Sequence, residues 1–293
     1  MILAAIDIGS NAARLLISET SIYKDCSVDF TKVNLVRIPL RLGIDVFDKG
    51  FISDERKENL MKSMKAYKLL MDLYHVEAYK ACATSAMRDA TNAKEIIEEV
   101  LRETGIKINV ISGQEEANII YETHIAEKLS LNKSYLYIDV GGGSTEVTLF
   151  SQNQIVFKES FNIGTIRLLH NRVTDEQWDQ MKLFIKTHIK DYQPIEAIGS
   201  GGNINKIFSI SKKKEGKPLS LDLLKDYYKE MSFSTLQERK HLYGFKDDRA
   251  DVIVPALQIF ISIMRWTNAD EIYVPKIGLA DGIIKMLYQE LSR

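Results

Sequence analysis

Eight consecutive residues, Asp139 to Glu146 (DVGGGSTE), carry the densest chemistry in the chain. They follow Tyr135-Leu136-Tyr137-Ile138, a short apolar, β-prone run that reads as a buried strand. A strand that ends in an acid and passes into glycines and hydroxyl residues can bring its backbone close to a ligand. Glycine has no Cβ and tolerates positive φ, so successive N–H groups can converge on an anion. Asp139, at the mouth of that loop, can hold a hydrated divalent metal, because hard cations prefer carboxylate and water oxygens. Taken alone, the stretch is equally a plain glycine hairpin that begins with Asp.

A second copy of the pattern weighs against the plain hairpin. Ile2-Leu3-Ala4-Ala5-Ile6 reads as a buried strand and ends at Asp7-Ile8-Gly9-Ser10-Asn11, with a returning strand from Arg14 to Ser18. Placing Asp7 on Asp139 matches DIGSNAARLLIS with DVGGGSTEVTLF, acid, apolar residue, glycine, small turn and β-prone return in the same order. A repeat of roughly 130 residues is too long for a solenoid and points to a duplicated domain. Two such hairpins facing each other would clamp a phosphate chain. A third glycine turn, Gly199-Ser200-Gly201-Gly202-Asn203, closes a short strand at Ala197-Ile198 and opens a helix, an order that suits a phosphate or nucleotide wall.

Two adjacent glutamates separate physically. Ser112 and Glu115 have capping-box spacing at a helix start, so Glu115 has a structural job. Glu116 lies about 100° further round and is not used by the cap. It is either a first-turn glutamate favoured by the helix dipole or a carboxylate presented at a site.

The remaining chain supplies the elements that position these groups. Val33–Ile38 reads as a strand, followed by a polar loop ending near Gly50. Ser53 is expected to cap a helix whose apolar face is Leu60, Met64, Tyr67, Leu70, Met71 and Tyr74. Further strands are expected at Ala78–Ala83, Lys107–Ile111, Val147–Phe150, Ile155–Phe161 and Glu271–Val274. Capping pairs are expected at Asn92/Glu95, Thr174/Gln177 and Ser234/Gln237. Asp251–Trp266 is apolar nearly all round, the mark of a buried helix, with Pro255 tolerated near its start. Lys212-Lys213-Lys214-Glu215-Gly216-Lys217 is the one basic run, a solvated loop or a contact for a polyanion.

At 293 residues, 45% of them hydrophobic, two domains are expected. Lysine plus arginine (39) and aspartate plus glutamate (40) nearly cancel, which argues against general nucleic-acid or membrane-surface binding. Cys26 and Cys82 are too few for a disulfide framework or a cysteine-rich metal site. Without a long apolar span or a basic-then-apolar leader, a cytoplasmic protein is expected.

DIGSNAARLL, ATSAMRDATN, ISGQEEA, DVGGGSTE and GLADG occur in order along almost the whole chain. Together they resemble the exopolyphosphatase/guanosine pentaphosphate phosphatase (Ppx/GppA) family, of the actin/sugar-kinase/heat-shock ATPase superfamily. The resemblance implies an α/β fold of two ribonuclease-H-like (actin-like ATPase) domains flanking a cleft. Domain I would span 1–128 and be completed by the helix 279–293, and domain II would span 129–278. It implies Glu116 as the base that activates water, and Asp139 and Glu146 as metal-associated acids, with Asp7 as a third candidate. It places Ser10, Asn11, Arg14, Arg88, Gly141, Gly142, Gly143, Ser144, Thr145 and Arg167 on phosphate-binding positions. The cofactor would be Mg2+ or another hard divalent cation. Ala12 stands where a serine is common, Asp281 where a glutamate is usual, and the HD-like C-terminal domain of longer members has no counterpart in these residues.

The implied activity is release of terminal orthophosphate from inorganic polyphosphate, or of the 5′ γ-phosphate from guanosine pentaphosphate. The partners are then that polyanion, with no nucleic acid and no membrane, and a homodimer is a compatible assembly. A binding module that senses the same polyanions with little turnover, and a small-molecule kinase of the same superfamily, are the alternatives.

Overall fold

The computed structural model describes residues 1–23, 28–124, 133–152, 154–275 and 278–292. Cys26 and the expected changeover near Leu129 lie outside them. The chain divides into two compact units, Met1–Thr123 with Gly278–Arg293, and His124–Ile277. Among the described residues the strands form two sheets, so the fold is α/β as expected.

The first unit runs β1 (Ile2–Ile8), β2 (Ala13–Ile22), β3 (Val28–Ile38), α1 (Leu42–Lys49), α2 (Asp54–Leu73), β4 (Ala78–Ala83), α3 (Ser85–Asp89), α4 (Ala93–Thr104), β5 (Ile108–Val110) and α5 (Gly113–His124). The second runs β6 (Ser134–Val140), β7 (Thr145–Ser151), β8 (Gln154–Phe161), α6 (Thr165–Leu169), α7 (Asp175–Ile189), β9 (Ile195–Ser200), α8 (Gly202–Ile210), β10 (Leu219–Ser220), α9 (Leu221–Phe233), α10 (Leu236–Tyr243), α11 (Asp247–Ala250), α12 (Ile253–Trp266) and β11 (Glu271–Tyr273). The last helix, α13 (Leu279–Leu291), belongs to the first unit.

In the first unit the strand order is β3-β2-β1-β4-β5. Strand β1 is buried from Leu3 to Ile8, as a central strand covered on both faces must be. It runs parallel to β4, and β4 parallel to β5, with Ile8 beside Ala83 and Ala83 beside Val110. The Gly9 turn, the Thr84–Arg88 stretch and the start of α5 therefore leave the sheet at one edge, its carboxyl end, where open α/β sheets bind ligands. Helix α13 packs on this sheet through Leu279, Ile283, Ile284 and Leu287 in a core shared with Leu3, Ala5 and Leu16. Each such buried Ile or Leu contributes about 2 kcal/mol, enough to fix the helix on β1.

The second unit has the order β10-β11-β9-β6-β7-β8. Helix α12 buries Ile253, Ala256, Leu257, Ile259, Phe260, Ile263 and Met264, the all-round apolar helix that the sequence predicts.

The two units repeat one motif, and the repeat is longer than the sequence suggests. In each, a hairpin is followed by a third strand and a helix, β1-β2-β3-α1 and β6-β7-β8-α6. Gly9 N–H donates to Ala12 O at 3.0 Å, and Gly141 N–H donates to Ser144 O at 2.9 Å. The helix starts then tie down the turn carbonyls. Arg41 and Gly43 donate to Asn11 O and Ser10 O, and Thr165 and Ile166 donate to Gly141 O and Gly142 O.

Helix α1 replaces the polar loop expected before Gly50. It enters from Arg41 at φ 55° and stops at Gly50 at φ 81°. Its apolar stripe is hidden because a buried acid, Asp45, interrupts Leu42, Val46 and Phe47. Asp45 explains a second difference. The Ser53 hydroxyl does not cap α2 but donates to Asp45 at 2.5 Å, and Arg56 Nε lies 2.8 Å from the same carboxylate. Asn92 likewise does not cap α4; its amide exchanges hydrogen bonds with the Ile52 backbone. The expected Ser234/Gln237 cap lies one residue later, as a capping box between Thr235 and Glu238. The Ser112/Glu115 and Thr174/Gln177 boxes form as expected.

Two outcomes follow from this packing. Burial would raise the Asp45 carboxyl, but the Ser53 hydroxyl and the charge of Arg56 outweigh it and hold the group below its ordinary 3.8. The carboxylate thus favours the folded state above that value and loses its effect as pH falls below it. Asp45→Asn should cost about 2 kcal/mol in urea unfolding at pH 7, and the gap to the parent should close as pH drops under 3.8. A Cβ at Gly164 would sit 2.4 Å from Gly142 O and from Gly143 C, both backbone atoms. Gly164→Ala should therefore cost about 1–3 kcal/mol by the same measurement, through displacement of the Gly142–Gly143 turn.

Candidate active site

The second unit holds the most concentrated chemistry. Asp139, next to last in β6, faces Glu146 directly across the hairpin. Carboxylate oxygens of the two approach within 4.8 Å. Like charges directly opposite on a sheet destabilise it, and here Glu146 is only 3% exposed. A hard cation between or beside the two oxygens relieves that repulsion, and two carboxylates are a donor set that suits Mg2+. The residues present therefore fit the divalent metal expected from the sequence.

Three hydroxyls hold the pair in place. Ser144 and Ser160 both donate to Glu146 Oε1, at 2.7 and 2.8 Å, and Ser200 donates to Asp139 Oδ1 at 2.6 Å. Ser200 reaches Asp139 because β9 lies beside β6 in parallel register, Asp139 against Ser200. The next residue, Gly201, has φ 105°, and a Cβ there would press on Val140 O at 3.0 Å and on Asp139 Oδ1 at 3.2 Å. Glycine is required at that turn.

The glycine loop beside this pair gives its carbonyls to the start of α6. Gly141 O accepts from Thr165 N–H, Gly142 O from Ile166 N–H, and Gly143 O from Arg167 Nε at 2.8 Å. In a trans peptide the C=O and the following N–H point in opposite directions. The N–H groups of Gly142, Gly143 and Ser144 are thereby turned away from α6, as an anion site needs. The loop hydroxyls have internal acceptors: Ser144 donates to Glu146, and Thr145 Oγ1 donates to Ile163 O at 2.5 Å. Arg167 is anchored on the loop it was expected to assist.

In the first unit the equivalent hairpin is built with opposite electrostatics. Asp7 faces Arg14, where Asp139 faces Glu146, and Arg14 donates to Asp7 Oδ2 at 2.5 Å. The acid is 3% exposed and internally neutralised, an ion pair rather than a repelling pair of acids. Ser10 shares a buried hydrogen bond with Ser85 at 2.7 Å, so the turn is fixed to the start of α3. With Ser10 O and Asn11 O taken by α1, the N–H groups of Asn11 and Ala12 point away from that helix.

Arg88 on α3 donates to Ile111 O at 3.0 Å, which places it beside the entry to α5. At that entry Glu115 closes the box with Ser112, while Glu116 is buried at 9% exposure. Burial pushes the Cys82 thiol up to about 11, so the buried cysteine next to Asp7 in the sheet is not a thiolate nucleophile. Asp281 caps the Gly278 N–H and pairs with Lys32 at 2.7 Å, a structural role.

Sequence reasoning passed over Ser160, Ser200 and Gly164. Ser160 carries no local signal, because it reaches Glu146 from the neighbouring strand. Ser200 and Gly164 lie in stretches singled out for other residues; only the register of β9 and the tight approach of α6 give them a role.

No helix among the described residues is long and apolar enough to cross a membrane. Comparison with known proteins gives a consistent assignment. A bifunctional 3-dehydroquinate synthase/phosphatase of Fusobacterium nucleatum is 31% identical over 92% of this chain and 44% of its own length. A guanosine-5′-triphosphate,3′-diphosphate pyrophosphatase of Aeromonas salmonicida is 22% identical over 96% of this chain and 58% of its own. The chain thus spans about half the length of these curated relatives. The crystal structure of the Aquifex aeolicus Ppx/GppA family member superposes with a TM-score of 0.76 at 26% identity, covering 100% of this chain and 99% of that one. The description of the Ppx/GppA phosphatase family matches residues 21–291, and the chain belongs to that family.

Proposed function

We propose that the protein is a metal-dependent phosphoanhydride hydrolase acting in the cytoplasm. It would release terminal orthophosphate from inorganic polyphosphate, the 5′ γ-phosphate of guanosine pentaphosphate, or both. The observation that carries the reading is the facing pair Asp139 and Glu146 beside an amide cradle, two carboxylates for a cation and N–H groups for the oxygens it neutralises. Phosphoryl transfer asks a protein for positioning and charge neutralisation more than for covalent help, and this loop is built for both.

Asp139 and Glu146 would hold the metal, which when bound supplies Lewis-acid neutralisation of phosphate oxygens. Asp7, the third metal candidate, also holds Arg14 in an ion pair and would orient that guanidinium toward phosphate. The amides of Asn11, Gly142, Gly143 and Ser144 would bind oxygens, with Ser10 and Thr145 as turn-fixing residues and Arg88 as a further cation for phosphate. Glu116 would orient a water and take its proton, a role supported by its place in ISGQEEA and by its freedom from the cap that occupies Glu115.

The departure at Ala12 differs in its consequence from a change at the matching position of the other hairpin. The matching residue in the other hairpin, Ser144, gives its hydroxyl to Glu146 two residues on. The residue two after Ala12 is Arg14, already held by Asp7. A serine at position 12 would find no carboxylate there to donate to, so Ala12 removes a hydroxyl that could have met phosphate.

Glu116→Gln should lower the rate of orthophosphate release at least 100-fold while ligand affinity, measured by equilibrium binding with Mg2+, changes little. Near-normal turnover in that variant would remove Glu116 as the base. Chelation of divalent cations should stop release by the parent, and Mg2+ should restore it. Glu146→Gln should shift the Mg2+ dependence to higher concentration, read from release rate against free Mg2+.

A further inference from the structure

We infer that Ser160 and Ser200 are positioning residues for the divalent cation, acting through the carboxylates they hold rather than touching the metal or the phosphate themselves. The inference rests on the reading that Asp139 and Glu146 bind that cation. The two acids sit opposite each other on a two-stranded hairpin, a placement that fixes their Cα atoms but leaves the carboxylate planes to rotate. Rotation is stopped from outside the hairpin on both sides. Ser160, on β8, stands directly across from Glu146 in the β7–β8 register and donates to Oε1 at 2.8 Å. Ser200, at the end of β9, stands across from Asp139 in the β6–β9 register and donates to Oδ1 at 2.6 Å. Residues 160, 146, 139 and 200 therefore form one rung across four adjacent strands, serine, glutamate, aspartate, serine.

The chemistry of that rung is directional. A serine hydroxyl donates one proton, and each flanking hydroxyl spends it on the carboxylate inside the rung. Ser144 adds a second donor to the same Oε1 of Glu146 at 2.7 Å. Donors converging on Oε1 orient the Glu146 carboxylate, where the other hairpin places an arginine at the matching position. Two carboxylates held close and oriented by these hydroxyls form a site that suits a cation; outer-shell hydrogen bonds of this kind are typically worth 10–100-fold in metal affinity.

The test uses Mn2+ as the probe, with its affinity read by electron paramagnetic resonance of the free ion on the full chain, independent of turnover. The parent should bind Mn2+, and Asp139→Asn should abolish the binding. Ser160→Ala and Ser200→Ala should each weaken it about 10-fold. Ser160→Thr, which keeps the hydroxyl on Cβ, should restore parental affinity, and Ser232→Ala, whose hydroxyl bonds the Tyr228 carbonyl at an exposed site, should leave it unchanged. If Ser160→Ala does not fold, Ser160→Cys against Ser160→Thr carries the comparison, with weak binding expected for the first only. Parental Mn2+ affinity in the folded alanine or cysteine variants would overturn the positioning role while leaving the metal reading intact. Absence of Mn2+ binding by the parent would overturn both.

Discussion

Two carboxylates facing each other across a tight hairpin set the terms for the second unit. Asp139 and Glu146 are brought together by the β6–β7 register, and Glu146 is almost wholly removed from water. Such a pair is unfavourable by itself, and the neighbouring strands and loop supply serine hydroxyls that hold the two carboxylates. The glycine loop between them gives its carbonyls to α6 and turns its amides the other way. Charge concentrated in this manner has a physical purpose when a cation and a polyanion are bound together, because each then offsets the cost of the other.

The duplicated hairpin in the first unit shows what the alternative looks like. The backbone device is the same, down to the hydrogen bond that closes the turn and the helix start that takes up its carbonyls. One change, arginine in place of glutamate, converts the repelling pair into an ion pair. The same backbone motif thus carries two electrostatic arrangements, a pair of facing acids in one hairpin and an ion pair in the other.

Much of this was legible in the sequence, and the limits have physical causes. The acid-glycine turns announced themselves because few residue types can make them, and capping boxes at Ser112 and Thr174 were legible because their partners are three residues apart. The Ser53 and Asn92 caps failed because a tertiary partner, Asp45 in one case and the Ile52 backbone in the other, competed for the side chain. Helix α1 was missed because its buried Asp45 reads as solvent-facing until Arg56 is seen beside it. The contacts of Ser160 and Ser200 depend on strand order, which local spacing does not encode.

The central claim is hydrolysis at the end of a phosphate chain by water. It is tested most directly by incubating the purified protein with Mg2+ and either polyphosphate or guanosine pentaphosphate in 18O-labelled water. Orthophosphate should carry one solvent oxygen per molecule released, with none introduced into the remaining chain end. Release without the label, release that requires an added acceptor, or no release from either substrate would contradict it.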